Sequence, residues 1–480
     1  MNLVEKLTVD ELALARFRLT CISPIDGKYG KKVDPVRKYL SAEAEWLGFA
    51  FLQRTLLETR VEFGAADQKY LDEVDAAMPF LDPLNMALLE DEVTHHDQLA
   101  VLEEFGRHIS LEAKAVLHPG TTSQDIIDTT RSYLYKKAWY EAIRPTIVKG
   151  IEKLCQLGEH SLDILQVGRT HLQDTSPVLF GGVLAGYAAR LSERMSKCDV
   201  AANDLRGKIS GIVGTGASIE MVVGEGKAMK FETAVLEKLG LIPDYTSTQI
   251  VQKERLADFG HGIATLMGVL GDFAHDMRLL YSSALQEVTS RDNAERLGGS
   301  SADATKNNPI DYENIEGNST ICIAGMPILY ALIQSDFARD LRGSVEERYQ
   351  PRIMLAQAYE SFSRLVVVLN QFSINTDRMS ANLYRVRQSP SEALVAILRG
   401  EGWVHSKYGE GHHFIKEMGK TAILQQRPLR EVCRDDPEFA LLYDHLPKNK
   451  QRIINGELEL YLGDARQRAY INIGLARSSL

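Results

Sequence analysis

The chain has 480 residues, of which 44% are hydrophobic and 25% are charged, and its formal net charge is -10. Such a length allows two or three domains around a large core, and the composition is that of an ordinary soluble protein. The negative net charge excludes a general electrostatic footprint for nucleic acid. An anionic ligand would therefore be held by locally clustered arginines and lysines. No apolar run reaches the length of a membrane span.

The five cysteines are odd in number and widely scattered, with no C-x-x-C pair and no Cys/His ligand spacing. Neither a disulfide framework nor a zinc site is therefore expected. The first six residues lack the apolar segment of a secretion signal. We expect a cytoplasmic protein without a membrane partner.

The apolar residues predict an all-α fold, entered through an irregular segment around Pro24 and Gly27, with a break at Pro119-Gly120. In the middle of the chain their spacing alternates between three and four, which is a heptad pattern, and residues 147–154 and 183–195 repeat it. This pattern favours long helices packed at shallow angles in a bundle. The heptad residues are Ile263, Leu266, Leu270, Phe273, Met277, Leu280 and Ala284.

Breaks near residues 117 and 372 suggest three domains. We expect an N-terminal helical domain over 1–117, a central helix-bundle domain over 118–372 and a C-terminal helical domain over 373–480. No internal repeat or low-complexity tract interrupts this division.

The first polar motif is Thr94-His95-His96-Asp97. Two histidines and an aspartate could suggest a metal site. However, adjacent residues on a helix do not face one point, so we expect no metal here.

The segment from His118 to Asp125 predicts the start of a helix. Thr122 and Asp125 have the spacing of a capping box before the apolar residues 126–127. The free N–H groups of a helix N-terminus, together with the hydroxyls of Thr122 and Ser123, also suit a carboxylate. The two interpretations are compatible.

The third motif, Gly168-Arg169-Thr170-His171-Leu172-Gln173, places one histidine in a polar turn. Such a histidine is ordinarily a surface residue. It is also one of the few side chains that can protonate a leaving group near neutral pH.

The fourth motif is the loop from Gly299 to Pro309. Its glycines permit a mobile backbone. Ser300 and Ser301 supply hydroxyls, while Lys306 and Asn308 supply donors for carboxylate oxygens. Composition alone is also consistent with a polar surface loop, but a potential base beside an anion clamp suits chemistry on a small carboxylic acid.

The fifth motif contains Arg339, Ser344 and Arg348. Two guanidinium forks and a hydroxyl are what a phosphate needs. The nearby charges of Arg342 and of residues 346–347 favour the alternative of a solvated helix face.

Several of these motifs resemble one family. The loop at 299–309 resembles G-S-S-x-M-P-x-K-x-N-P of the fumarase/aspartase superfamily, with Asp303-Ala304 in place of Met-Pro. The stretch Ser23-Pro24-Ile25-Asp26-Gly27-Lys28-Tyr29-Gly30 resembles the opening S-P-x-D-G-R-Y-G of bacterial adenylosuccinate lyases, with Lys28 in place of arginine. The T-x-H-D, T-S-x-D and T-H-x-Q segments and the stretches 207–214, 248–249, 308–314 and 339–348 also fit that family. The resemblance runs from about residue 21 to 350 and is looser beyond.

The resemblance implies a three-domain fumarase/aspartase-like fold with a central long-helix bundle. It also implies a homotetramer whose composite active sites draw conserved regions from three subunits. No cofactor and no metal are implied.

The implied reaction is the elimination of fumarate from adenylosuccinate, leaving AMP, and the same cleavage of the succinyl-carboxamide ribotide of purine synthesis. Ser300, as an alkoxide, would remove a proton from the carbon next to a carboxylate. Lys306 and Asn308 would stabilise the dianion, and His171 would protonate the departing nitrogen.

The resemblance further implies a set of binding residues around this chemistry. His118 and Thr170 would support it. The substrate-binding residues would be Lys28, Tyr29, His95, His96, Asp97, Thr122, Ser123, Gln249, Ser301, Lys306, Asn307, Asn308, Asn314, Arg339, Ser344 and Arg348.

Two alternatives stay open. The first is a related lyase acting on another N-substituted aspartate, such as argininosuccinate, or on nitrosuccinate. It is motivated by Asp303, because an added carboxylate near a dianionic substrate is electrostatically awkward. The second is a lyase fold kept as a structural or regulatory protein.

Overall fold

Helices form most of the chain, and the strands are short. The computed structural model describes residue 4 and residues 7–292 and 302–480. The prediction of an all-α fold is confirmed. No helix in these described ranges is both long and apolar enough to cross a membrane.

The chain divides into two compact units, each assembled from three separate stretches of sequence. The first unit contains Met1–Lys149, Arg194–Gly271 and Asn314–Leu365. The second unit contains Gly150–Glu193, Asp272–Glu313 and Val366–Leu480. The three-domain division with boundaries near 117 and 372 stays a prediction.

The helices before the middle of the chain include two of the longest, α3 and α10. In order they are α1 (Val9–Thr20), α2 (Gly30–Leu40), α3 (Ala42–Glu62), α4 (Gln68–Ala77), α5 (Pro83–Leu89), α6 (Asp97–Gly106), α7 (Leu111–Ala115), α8 (Ser123–Ala138), α9 (Arg144–His160), α10 (Phe180–Asn203), α11 (Ala217–Val223) and α12 (Ala228–Lys238).

The later helices include the two longest of the described residues, α13 and α16. In order they are α13 (Glu254–Tyr281), α14 (Ile310–Ala324), α15 (Met326–Ala331), α16 (Arg342–Gln371), α17 (Thr376–Gln388), α18 (Ser391–Gly400), α19 (Gly411–Gln425), α20 (Leu429–Arg434), α21 (Pro437–His445), α22 (Lys448–Ile454) and α23 (Ala465–Ser478).

The strands pair two by two. The pairs are β1 (Leu165–Thr170) with β2 (Gln173–Leu179), β3 (Arg206–Gly207) with β4 (Ile242–Pro243), β5 (Val288–Ser290) with β6 (Phe372–Ile374), and β7 (Val404–His405) with β8 (Gly409–Glu410). Only the pairing of β3 with β4 is parallel among these.

The heptad pattern corresponds to α13. Its first six predicted residues, from Ile263 to Leu280, lie in this helix and are at most 9% exposed. Their spacing keeps one face of the helix in the core, as the periodicity requires. Ala284 lies beyond the helix, because the chain turns after Tyr281 and Gln286 adopts a positive φ of 53°.

Candidate active site

Arg60 of α3 holds the loop before α8 from inside the first unit. Its guanidinium donates to the carbonyls of Val116 at 2.7 Å, Leu117 at 2.9 Å and Pro119 at 3.1 Å. The side chain is fully buried, and burial lowers the pKa of Arg60 to about 10. A buried cation held by backbone carbonyls fixes the position of this loop.

His118 lies within this loop and is neutral near physiological pH. Burial, followed by the charges of Arg60 and His96, lowers its pKa to about 4. Its Nδ1 lies 2.8 Å from Gln53 Nε2 and 3.0 Å from Thr121 Oγ1. Two polar side chains therefore engage the Nδ1 atom of His118.

The start of α8 is fixed by a buried carboxylate, which confirms the predicted helix start. Asp125 accepts from the N–H of Thr122 at 2.8 Å and from that of Ser210 at 3.1 Å, and it forms an ion pair with the buried Lys208. Gly120 has φ of +79°, and a Cβ there would stand 2.8 Å from the carbonyl oxygen of Ser218. The loop therefore requires glycine at this point.

Arg339 gathers three polar side chains of the first unit. It donates to Gln249 Oε1 at 3.0 Å and to Ser344 Oγ at 3.4 Å. With its amide oxygen toward Arg339, the buried Gln124 accepts from the same guanidinium at 2.7 Å. Three predicted binding residues, Gln249, Arg339 and Ser344, are thus brought together at the start of α8.

Buried ion pairs join α8 to α16. Lys253 lies 3.0 Å from Asp128 and 3.0 Å from Glu347, and Glu347 is also 3.4 Å from Arg131. Glu347 is buried, so the solvated-face interpretation of residues 346–347 is wrong at this position. Its neighbour Arg348 is exposed and has no hydrogen bond or ion pair within the described part of the chain. Four residues after Ser344, Arg348 lies on the same helix face.

The segment before α6 has irregular backbone. Glu90–Thr94 form one π-helical turn, and His95 follows with φ of +50°. Burial raises the pKa of the Glu90 carboxyl, and Asp97 raises it further, while Arg348 and His96 act in the opposite direction. The charge of Arg348 therefore acts on Glu90, which precedes the T-x-H-D segment.

Two further predicted residues meet in the first unit. The amide nitrogen of Asn314 donates to the hydroxyl of Tyr29 at 3.2 Å. Lys28, which precedes Tyr29, is exposed.

In the second unit, His171 occupies the tight turn between β1 and β2. Thr170 pairs with Gln173, so that His171 and Leu172 form a two-residue loop. Their φ angles are 54° and 60°, the sign that type I′ turns require at both central positions. Such turns usually contain asparagine and glycine, so this backbone is strained for its residues.

The segment around Lys306 is also in the second unit. Asp303 Oδ1 accepts from the N–H of Thr305 at 3.1 Å and from its hydroxyl at 2.8 Å. These hydrogen bonds lower the pKa of Asp303. The added carboxylate is therefore engaged with its own loop, while Lys306 is exposed.

The predicted site residues divide between the two units. Ser300 and Ser301 lie outside the described residues. The first unit contains Lys28, Tyr29, His95, His96, Asp97, His118, Thr122, Ser123, Gln249, Asn314, Arg339, Ser344 and Arg348, and the second contains Thr170, His171, Lys306, Asn307 and Asn308.

Sequence reasoning missed several polar residues that position the site. Gln53 and Arg60 lie seven residues apart on the buried face of α3. Gln124 directly follows Ser123, and the carbonyl of Glu90 accepts from the N–H of His95. The signal that could have indicated the first two is a polar residue at an apolar position of a helix. No group of three or more metal-ligating side chains occurs among the residues that the structure describes.

Comparison of the sequence with known proteins places the chain in a family. A family model described as "Lyase" matches residues 29–323, more than half of the chain. The chain is 32% identical to the adenylosuccinate lyase of Bacillus subtilis (strain 168) over 369 residues, covering 74% of this chain and 80% of that relative. It is 27% identical to the adenylosuccinate lyase of Pyrococcus abyssi (strain GE5 / Orsay) over 456 residues, covering 93% and 96%.

Solved structures with the same fold include two at 22% identity. The 3-carboxy-cis,cis-muconate lactonizing enzyme from Pseudomonas putida has a TM-score of 0.80 and covers 93% of this chain and 97% of that chain. The fumarate lyase from Mesorhizobium sp. BNC1 has a TM-score of 0.79 and covers 92% and 97%. At this identity the likeness shows the fold alone, and it confirms the predicted fold class.

Proposed function

We propose that this chain, which belongs to the fumarase/aspartase superfamily of lyases and is a carbon–nitrogen lyase, cleaves adenylosuccinate to fumarate and AMP. It also cleaves the succinyl-carboxamide ribotide, which has the same succinylamino group. The relatives named adenylosuccinate lyase support this substrate.

The observation that carries the proposal is the group of cations around the start of α16, with Arg339 before the helix and Arg348 within it. Arg339 lies 3.4 Å from Ser344, and Arg348 follows one turn later on a helix anchored by the buried Glu347. Two guanidinium groups and a hydroxyl suit the phosphate of a nucleotide. A substrate without phosphate would leave this arrangement unused.

The mechanism is a base-catalysed elimination. Ser300, as an alkoxide, removes the proton from the carbon beside a carboxylate, and the electron pair forms the C=C bond of fumarate while the C–N bond breaks. His171 gives its proton to the departing nitrogen, which is too basic to leave as an anion. Lys306 and Asn308 stabilise the dianion, and Thr122 and Ser123 bind the carboxylates at the start of α8.

The alternative substrate, argininosuccinate or another succinyl compound, was motivated by Asp303. Its carboxylate accepts two hydrogen bonds from Thr305, so its charge is stabilised within its own loop. This arrangement weakens the argument for a different substrate. The proposed enzyme acts as a cytoplasmic homotetramer with composite active sites.

The test is the release of fumarate by purified protein from adenylosuccinate, argininosuccinate and nitrosuccinate in parallel. We expect adenylosuccinate to be cleaved with the highest kcat/KM. Ser300→Ala protein purified in the same way is the control for a contaminating lyase, and its turnover should be about 10²–10⁴-fold lower. Preferential cleavage of another compound would identify that compound as the substrate instead.

A further inference from the structure

The strained turn of His171 is clamped from both of its strands. Two residues before His171, Arg169 pairs with Asp174 in the β1–β2 register, and its Nε donates to Asp174 Oδ1 at 3.1 Å. The two terminal nitrogens of the same guanidinium donate to both oxygens of Glu287, at 2.5 Å and 3.1 Å. One side chain thus joins the two strands of the hairpin to a third segment.

Glu287 is a buried carboxylate with four donors. Besides the two from Arg169, it accepts from Gln166 Nε2 at 2.7 Å and from Asn382 Nδ2 at 2.8 Å. Its side chain is fully buried, while that of Arg169 is 13% exposed. Glu287 directly precedes β5, and its carbonyl accepts from the N–H of Asn375. The carboxylate is therefore held by side chains of β1 and α17.

A strained two-residue turn persists only where its surroundings impose it. The positive φ angles of His171 and Leu172 are not favoured by either residue, and Leu172 is largely exposed, so it has little packing to hold it. The forked contact of Arg169 with Glu287 constrains the backbone two residues before His171. A lysine could keep the charge but not the two parallel hydrogen bonds.

We infer that Arg169 and Glu287 are positioning residues that hold the His171 turn in the geometry needed for proton transfer to the leaving nitrogen. The inference rests on the proposed role of His171. The pair acts through the turn and needs no contact with the substrate. Loss of Arg169 leaves the buried Glu287 without a cation, and loss of Glu287 leaves Arg169 with Asp174 alone. Either change frees the turn to relax.

The experiment compares Arg169→Lys, Arg169→Met and Glu287→Gln with wild-type protein. The matched control is Arg477→Met, because Arg477 forms similar forked contacts with Glu152 and Glu159 at the exposed surface of the second unit. Two readouts are used: kcat and KM for fumarate release, and hydrogen–deuterium exchange of residues 165–179 measured by mass spectrometry.

We expect kcat of the three variants to fall by about tenfold to a hundredfold, with KM within about twofold of wild type. Exchange in the hairpin should be faster, whereas Arg477→Met should match wild type in both readouts. In a His171→Ala background, Arg169→Lys should reduce kcat by no more than about twofold further, because the turn then has no acid to position.

Unchanged hairpin exchange, unchanged kcat, or a loss that adds fully to that of His171→Ala would overturn the inference. Failure of the proposed function is seen separately, as wild-type protein that does not cleave adenylosuccinate. The kinetic comparison then uses whichever succinyl compound releases fumarate. If no compound releases fumarate, the inference is tested by the hydrogen–deuterium exchange of the hairpin, which must be faster in the three variants than in wild type.

Discussion

His118 is a histidine that the structure keeps uncharged. The charge of the buried Arg60 opposes its protonation, and the amide of Gln53 contacts its Nδ1. The folded protein holds its pKa at about 4, against 6.5 for the ordinary group. The unfolded chain therefore binds more protons between these pH values, and stability must fall as the pH is lowered through this window.

We predict that His118→Gln makes the free energy of unfolding less dependent on pH between pH 4 and 6.5. Between pH 6.5 and 4 the wild type should lose about 3 kcal/mol of unfolding free energy through this group, and the variant should lack that loss. Urea unfolding at a series of pH values measures it. An identical slope for both proteins would show that His118 is not held neutral.

In contrast to the buried, neutral His118, Arg348 is an exposed cation, and its helix is anchored by the buried Glu347. Arg348→Ala should weaken AMP binding by about tenfold to a hundredfold, because a charge-assisted hydrogen bond is lost. Binding of fumarate should hardly change. Calorimetric titration of both ligands is the measurement.

The control for Arg348 is Arg342→Ala on the same helix. Arg342 is exposed and paired with Asp340 at 2.7 Å. This variant should bind AMP like wild type. Equal losses in both variants would indicate a general charge effect, and a wild type that does not bind AMP would contradict the nucleotide proposal.

At the scale of elements, the predicted binding residues Gln249, Arg339 and Ser344 of the first unit lie near the start of α8. The first turn of α8 is anchored by Asp125 and Lys208, and its next turns by Asp128 and Arg131. Buried pairs of this kind contribute little net stability over apolar residues, but they are costly to break on one side. They hold Thr122 and Ser123 relative to α16.

Lys208→Met should therefore lower the free energy of unfolding by about 3–5 kcal/mol, because the fully buried Asp125 loses its cation. Lys238→Met is the matched control. Lys238 is exposed and pairs with Glu62 at 2.6 Å, so its loss should cost no more than about 1 kcal/mol. Chemical denaturation of the two variants would distinguish them. An equal loss of unfolding free energy in both variants would mean that the buried pair contributes no more to stability than the exposed pair.

At the scale of the whole molecule, a single chain leaves many large apolar side chains exposed. Between residues 321 and 333 alone, five such side chains are 37–51% exposed. They are Ile321, Ile323, Ile328, Tyr330 and Ile333. A concentration of apolar surface in one stretch is typical of a protein interface, and the family resemblance implies a homotetramer.

We therefore predict a mass in solution of four times the 53.6 kDa of one chain. Light scattering coupled to size-exclusion chromatography, at several protein concentrations, measures it. Activity should fall on dilution below the concentration at which the assembly dissociates, because the active sites would be composite. A fully active single chain would contradict both the tetramer and the composite site.

The sequence by itself determined the features that depend on residues close to each other along the chain. The heptad spacing in α13 and the start of α8 at Thr122 were predictable, because helix periodicity and capping act over three or four residues. The motif around His171 identified a turn for the same reason.

Only the tertiary structure decided how the site residues are supported. Arg60 holds a carbonyl 57 residues away, and Arg169 meets Glu287 across 118 residues. No local spacing encodes such pairs, because they depend on which helix faces become buried against each other. The same is true of the pKa of His118, which burial and the charge of Arg60 lower although its own motif contains neither cause.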